Sequence, residues 1–275
     1  MGLVATDFEN LEDLRMVIDI NYYSEGEIHC VDLNHHSNGE CASAVLCDGT
    51  DEEQLKKAAK DVWKEKLAVG KNEPNAVRFR TQLKEIYILS RRRRDIFGED
   101  DVAFFDIALA MLRHIDTNQK AALTPAELCE KGYLNSFNHI TSQAFMTTLY
   151  GMEVARFVAN THERLNMPEL TSGNFRPEQL SNPENNPMDN YVDMINNAWG
   201  QRLGSELKRR YDISDSTKWS EALLTRYLNS VQQYYTYAFG LSFRPFVVDE
   251  YLIKKFSRKI NAVKSLPTEE VIAAD

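Results

Sequence analysis

Apolar and polar positions alternate through the first fifty residues with the two-residue period of half-buried strands: "RMVIDINYY" (15–23), "EIHCVDL" (27–33) and "CASAVLC" (41–47). Ser24-Glu25-Gly26 and "NHHSNGE" (34–40) separate them, so the pattern predicts three short strands joined by hairpin turns. At Thr50 the period changes. "TDEEQLKKAAKDVWKEKLAVG" (50–70) opens on an N-cap threonine, carries acids in its first turn and closes on glycine, as helices do. Apolar residues then recur every three or four positions, predicting helices over about 74–97, 101–115, 124–131, 134–150, 151–166, 187–211, 217–239 and 246–263. The expected fold is mostly α: a small N-terminal β-hairpin or α+β region over 1–70, then a helical domain over 71–275. The proline-rich stretch at 166–187 is predicted to be a loop long enough to wall or cover a site.

Charge narrows the classes of function. Lys and Arg number 32 against 41 Asp and Glu, a net charge of −9, so nucleic acid is not an expected partner. "RRRR" (91–94) reads as the cationic end of the 74–97 helix, answered by the acids of "GEDD" (98–101). No stretch approaches the ~20 apolar residues of a membrane span, so an integral membrane protein is not expected. The first twenty residues lack a basic segment followed by an apolar one, which predicts synthesis in the cytoplasm without a signal peptide. Four cysteines are too few for a disulfide scaffold, and reduced thiols are expected. His29, Cys30, His35, His36, Cys41 and Cys47 crowd together, yet none has zinc-finger spacing, so strand cysteines and a polar turn are the better reading.

"DTNQKAALTPAE" (116–127) has the frame of an EF-hand loop, with Asp116, Asn118, Thr124 and Glu127 at four ligand positions. Lys120 stands where an oxygen ligand belongs, and Ala121 where the tight turn wants glycine. A degenerate EF-hand-like loop is expected, with at most weak calcium binding.

The densest chemistry lies further on. Asn135, His139 and Gln143 recur every fourth residue, forming one polar stripe on a helix. In "MEVARFVANTHERL" (152–165), Val154, Val158, His162 and Leu165 are expected to share the apolar face, turning the His162 imidazole inward. A third helix carries Asp189, Asp193, Asn196, Asn197, Gly200 and Gly204. A mid-helix glycine costs about 1 kcal/mol relative to alanine, so a pair four apart implies a closely approaching helix.

Buried Asp, His and Asn must be paired, which points to one polar centre shared by three helices. His139, His162 and Asp193 are the expected ligands of a divalent metal, Zn2+ being the first candidate, and serve equally as acid–base groups. Glu163 is the expected general base. Asn135, Gln143, Asp189, Asn196 and Asn197 would bind substrate or orient ligands.

The order N-x3-H (Asn135, His139), H-E (His162, Glu163) and D-x2-N-N-x2-G (Asp193, Asn196, Asn197, Gly200) resembles an uncharacterised bacterial and phage domain. That domain sits at the ends of secreted, wall-associated and polymorphic-toxin proteins, and the resemblance covers about residues 133–205. Asn138 departs from it, since a basic residue usually precedes the first histidine there. The resemblance implies a delivered toxin or effector enzyme, and a leaderless, acidic chain is compatible with export by a contact-dependent secretion machine. It also implies a cognate inhibitor or immunity protein as a partner. The order of His139, His162-Glu163 and Asp193 is also similar to HD-type metal phosphohydrolases. The expected function is therefore a metal-dependent hydrolase of effector or toxin kind acting on a cell-envelope component. Two alternatives stand beside it: a phosphoester hydrolase, and a non-catalytic binding or structural module of a phage or secretion apparatus with a buried polar network.

Overall fold

Two tight turns fold the N-terminal strands onto one another. Gly26 has φ +67°, and Asn38 and Gly39 have φ 51° and 79°, the left-handed pair that a two-residue hairpin turn requires. The computed structural model describes residues 1–60, 73–182 and 186–266. In it β1 (Ile18–Glu25), β2 (Ile28–Ser37) and β3 (Glu40–Cys47) form one antiparallel sheet in the order β1-β2-β3. β2 runs further than its alternation suggested, because the Asn38-Gly39 turn needs only two residues.

The helices are α1 (Leu11–Arg15), α2 (Glu52–Lys60), α3 (Pro74–Arg78), α4 (Arg80–Leu89), α5 (Arg94–Phe97), α6 (Phe104–His114), α7 (Thr117–Ala122) and α8 (Pro125–Leu128). There follow α9 (Tyr133–Tyr150), α10 (Met152–Asn166), α11 (Pro177–Leu180), α12 (Pro187–Arg210), α13 (Glu221–Phe239) and α14 (Tyr251–Val263). The fold is thus mostly α with a small N-terminal sheet. The second half of the expected 50–70 helix lies outside the described residues, as do positions 183–185 of the 166–187 stretch.

Two expectations need correction. The 74–97 helix is three pieces: the chain bends at buried Phe79, and Arg91, Arg92 and Arg93 lie in the link between α4 and α5, which Arg94 opens. Side chains explain the break. Arg91 stacks on Tyr87 at 4.1 Å, Arg92 pairs with Asp106, Arg93 pairs with Asp95 at 2.7 Å and Arg94 with Glu99 at 3.5 Å. These guanidinium groups thus reach acids and a tyrosine ring in several directions, which one helical turn could not do. The reduced-thiol expectation fails too, since Cys30 and Cys47 lie directly opposite each other on β2 and β3 and are joined by a disulfide.

One helix links the two parts of the core. The inner face of the sheet, with Val31, Leu33 and Leu46, packs on Tyr191, Ile195 and Trp199 of α12. His35 on the same face accepts a hydrogen bond from the Trp199 indole N–H at 3.0 Å. Further along, Leu203 and Leu207 of α12 join a cluster containing Phe137, Phe145, Tyr227, Tyr235 and Phe256. The glycine pair works as its spacing implied: a Cβ on Gly200 would lie 2.5 Å from the Ile140 carbonyl oxygen, and one on Gly204 2.4 Å from that of Ala144. α9 and α12 therefore touch backbone to backbone.

Gly200→Ala or Gly204→Ala must push the two helices apart, and each is expected to cost about 1–3 kcal/mol, read as a lower urea midpoint. A variant as stable as the parent would show that this seam carries no constraint.

Candidate metal centre

Because the glycine seam brings α9 and α12 together, their polar stripes meet side chain to side chain. α9 offers Asn135, His139 and Gln143, and α12 offers Asp189, Asp193, Asn197 and Gln201, every fourth residue in both rows. They pair like rungs. Asn135 Nδ2 donates to Asp193 Oδ1 at 2.7 Å, and Gln201 Nε2 donates to Gln143 Oε1 at 3.0 Å. Between these rungs His139 Nδ1 meets Asn197 Oδ1 at 2.9 Å, while its Nε2 lies 3.2 Å from Asp193 Oδ2. At the outer end Lys131 forms an ion pair with Asp189. Gln201 escaped the sequence reading, although it continues the four-residue spacing from Asn197.

The third helix contributes a different residue from the one expected. α10 buries Ala155, Ala159 and Glu163, a row of small side chains ending in an acid, so Glu163 faces inward with 1% exposure. Its Oε1 accepts a hydrogen bond from Asn197 Nδ2 at 3.2 Å; its Oε2 is buried with no hydrogen-bond partner among the described residues. His162 turns outward, contrary to expectation. Its Nδ1 lies 2.9 Å from Glu52 Oε2 on α2, and its Nε2 meets Asn166 at 3.1 Å. The Glu52 partner raises the imidazole pKa, and the same contact lowers the Glu52 carboxyl to about 2. Leu165, assigned to the apolar face with His162, is also exposed. The small-residue row Ala155–Ala159 was the available signal, because only small side chains let α10 approach so closely.

One nitrogen and two carboxylates thus converge: ligand atoms of His139, Glu163 and Asp193 all lie within 4.8 Å of one another. The hydrogen bonds dictate their protonation. Asn197 donates through its amide nitrogen to Glu163, so its oxygen faces His139 and accepts from Nδ1–H. That tautomer leaves the Nε2 lone pair pointing at Asp193, an acceptor aimed at an acceptor unless a proton or a cation lies between them. Electrostatics agrees. Burial lowers the His139 pKa to about 4, and burial raises Glu163 to about 7. Asp193 rises well above the carboxylate range through burial and the nearby charges of Glu163 and Asp189. Electron-rich groups crowded in low dielectric favour a bound cation, and a His-Glu-Asp donor set suits a divalent ion. This cluster could hold a metal ion; Asn197 bonds His139 and Glu163 from behind it, and Asn135 bonds Asp193.

The remaining candidates are placed elsewhere. Asn196 Oδ1 accepts the Leu3 N–H at 2.7 Å and its Nδ2 donates to the Leu3 carbonyl at 2.8 Å, tying down the N-terminal segment instead of the site. Gln143 lies one rung beyond the trio, and Asp189 one rung before it. The EF-hand-like stretch forms no ion loop. Asp116 caps α7, accepting the Asn118 N–H at 2.9 Å, while Thr124 and Glu127 bond each other at 2.7 Å in the cap of α8. Those oxygens are consumed by helix ends, so they do not converge.

Glu163 and Asn197 open onto a cavity of about 410 Å³, walled by Ser43, Ala44 and Val45 of β3 and by Met194 and Ala198 of α12. No helix among the described residues is long and apolar enough to cross a membrane. Compared with known protein families, curated proteins and solved structures, the chain matches none, so its chemistry rests on its own geometry.

A pH-dependent prediction follows from Glu163. In the metal-free fold its carboxyl ionises near pH 7 instead of 4.5, so ionisation costs stability that is absent below about pH 4.5 and complete above about pH 7. Glu163→Gln removes this cost, and its stability relative to the parent should climb across that window and then level off. His139, depressed towards 4, has the opposite slope but acts in both proteins. Urea midpoints measured in chelator at several pH values check this; a difference independent of pH would refute it.

Proposed function

We propose that the chain is a metal-dependent hydrolase, with a divalent ion, Zn2+ as first candidate, held by His139, Glu163 and Asp193. The observation that carries this reading is the convergence of ligand atoms of His139, Glu163 and Asp193 within 4.8 Å of one another, beside a Glu163 Oε2 that has no hydrogen-bond partner among the described residues. Bound there, a divalent ion supplies Lewis-acid polarisation of a scissile carbonyl or phosphoryl group. The protein's own groups do the rest. Asn197 holds His139 in the tautomer whose Nε2 lone pair faces the centre, and Asn135 keeps Asp193 turned towards it. Glu163 is the member of the trio that lines the cavity, so a molecule entering there meets the centre from the Glu163 side.

An effector or toxin acting on a cell envelope, with a cognate inhibitor as partner, is the setting we favour. Support comes from the resemblance over 133–205 and from the Cys30–Cys47 disulfide, a bond that persists in oxidising compartments. A second reading, a purely structural network, draws on the pairing of Asn135 with Asp193, of Asn197 with His139 and of Gln143 with Gln201.

Zinc titration separates the two. The parent should bind one equivalent; Asn197→Ala should weaken binding about 10–100-fold, and Glu163→Gln or Asp193→Asn should weaken it further. His162→Ala should bind like the parent, since that ring lies outside the trio. No zinc uptake, together with undiminished growth inhibition by Glu163→Gln in a periplasmic expression assay, would sink the hydrolase reading.

A further inference from the structure

The cavity beside Glu163 has one cationic side chain on its wall among the described residues, Arg156 of α10. It lies seven residues, two helical turns, before Glu163 and so on the same side of the helix. Its placement is controlled. Nε donates to Gln201 Oε1 at 3.3 Å, and Gln201, buried in the α9–α12 seam, donates in turn to buried Gln143 at 3.0 Å. The last rung of the polar ladder therefore aims this guanidinium.

The two terminal NH2 groups of Arg156 make no hydrogen bond or ion pair with the described residues. Neighbouring arginines are all engaged. Arg78 pairs with Glu153 at 2.6 Å, Arg164 with Glu73 at 3.4 Å and with the Cys47 carbonyl at 2.7 Å, and Arg202 bonds the Cys41 carbonyl at 2.6 Å. In a chain of net charge −9, acids to pair with are abundant. A guanidinium anchored through Nε, with its outer edge open to a cavity, is the fork that receives a carboxylate or phosphate through two parallel hydrogen bonds. Arg156 also borders a second cavity, of about 480 Å³, whose acids Glu73 and Glu153 are paired with Arg164 and Arg78.

We infer that Arg156 binds an anionic group of the substrate, a carboxylate or a phosphate, and holds it roughly 10 Å along α10 from Glu163. The inference rests on the reading of the trio as the reacting centre. It makes the substrate an anion, with Arg156 as the residue that selects it and Gln201 as a positioning residue behind it.

The test uses the full chain, with and without zinc, and two probes, inorganic phosphate and acetate. The Arg156 Nε–H resonance, identified by its loss in Arg156→Gln, should move and saturate with one of them; an anion resting on zinc alone would leave it unmoved. Calorimetry should show binding about tenfold or more weaker in Arg156→Gln, partly kept in Arg156→Lys, which retains the charge without the fork. Gln201→Leu should weaken binding while Arg156 keeps its charge. Because Arg156 is exposed, zinc affinity should be unchanged in its variants. Saturation by phosphate marks a phosphorylated substrate, and saturation by acetate a carboxylate one. Zinc binding without any Arg156-dependent anion binding overturns this inference and leaves the metal reading standing. Arg156-dependent anion binding in a protein that takes up no zinc upholds the anion site and overturns the metal reading instead.

Discussion

The close approach of α9 and α12 is the constraint from which the rest of the structure follows. Two glycines four residues apart let α12 lie against the carbonyls of Ile140 and Ala144, where any larger residue would collide. At that separation the neighbouring polar stripes cannot be bridged by water or solvated independently, so they must satisfy each other. A ladder of amide, imidazole and carboxylate rungs is the result. α12 then carries the sheet on one part of its length and the aromatic core on another, so the polar row is pinned between two hydrophobic clusters.

This arrangement leaves one place where satisfaction is incomplete. Along most of the ladder each donor meets an acceptor. At His139, Asp193 and Glu163 acceptors outnumber donors, and the protein answers with displaced pKa values and a bare Glu163 oxygen. Such an excess costs the fold stability, and it is compatible with a divalent cation held among the three groups. The ladder also reaches beyond the trio, since Gln143 and Gln201 transmit its order to Arg156 at the cavity wall.

The N-terminal sheet contributes shape as well as cover. β3 walls the cavity, and its outer carbonyls are taken by side chains from the helices: Arg202 on Cys41, Asn160 on Val45 and Arg164 on Cys47. These contacts hold α10 and α12 at the sheet edge and leave the space between Ser43 and Val45 open towards Glu163. The disulfide joins β2 to β3 at the end of the same edge.

Local pattern alone determined much of this molecule. Two-residue alternation placed three strands, and three-to-four-residue periodicity placed the long helices, because both depend on which side of one element is apolar. The four-residue spacing of Asn135, His139 and Gln143, and the glycine pair at 200 and 204, announced a polar stripe and a close helix contact for the same reason. Tertiary structure decided what depends on the rotation of one helix against another. Whether His162 or its neighbour Glu163 points inward is a turn of about 100°, and both lie on a helix whose apolar stripe is ambiguous; contact with α12, through Ala155 and Ala159, selected the glutamate. Likewise the Asp116–Glu127 spacing suits an ion loop or two capped helices equally, and the partnering of Cys30 with Cys47 needed a strand register that no spacing records. Each of these choices was made by packing between distant segments, where a side chain's direction is set by what it meets in space.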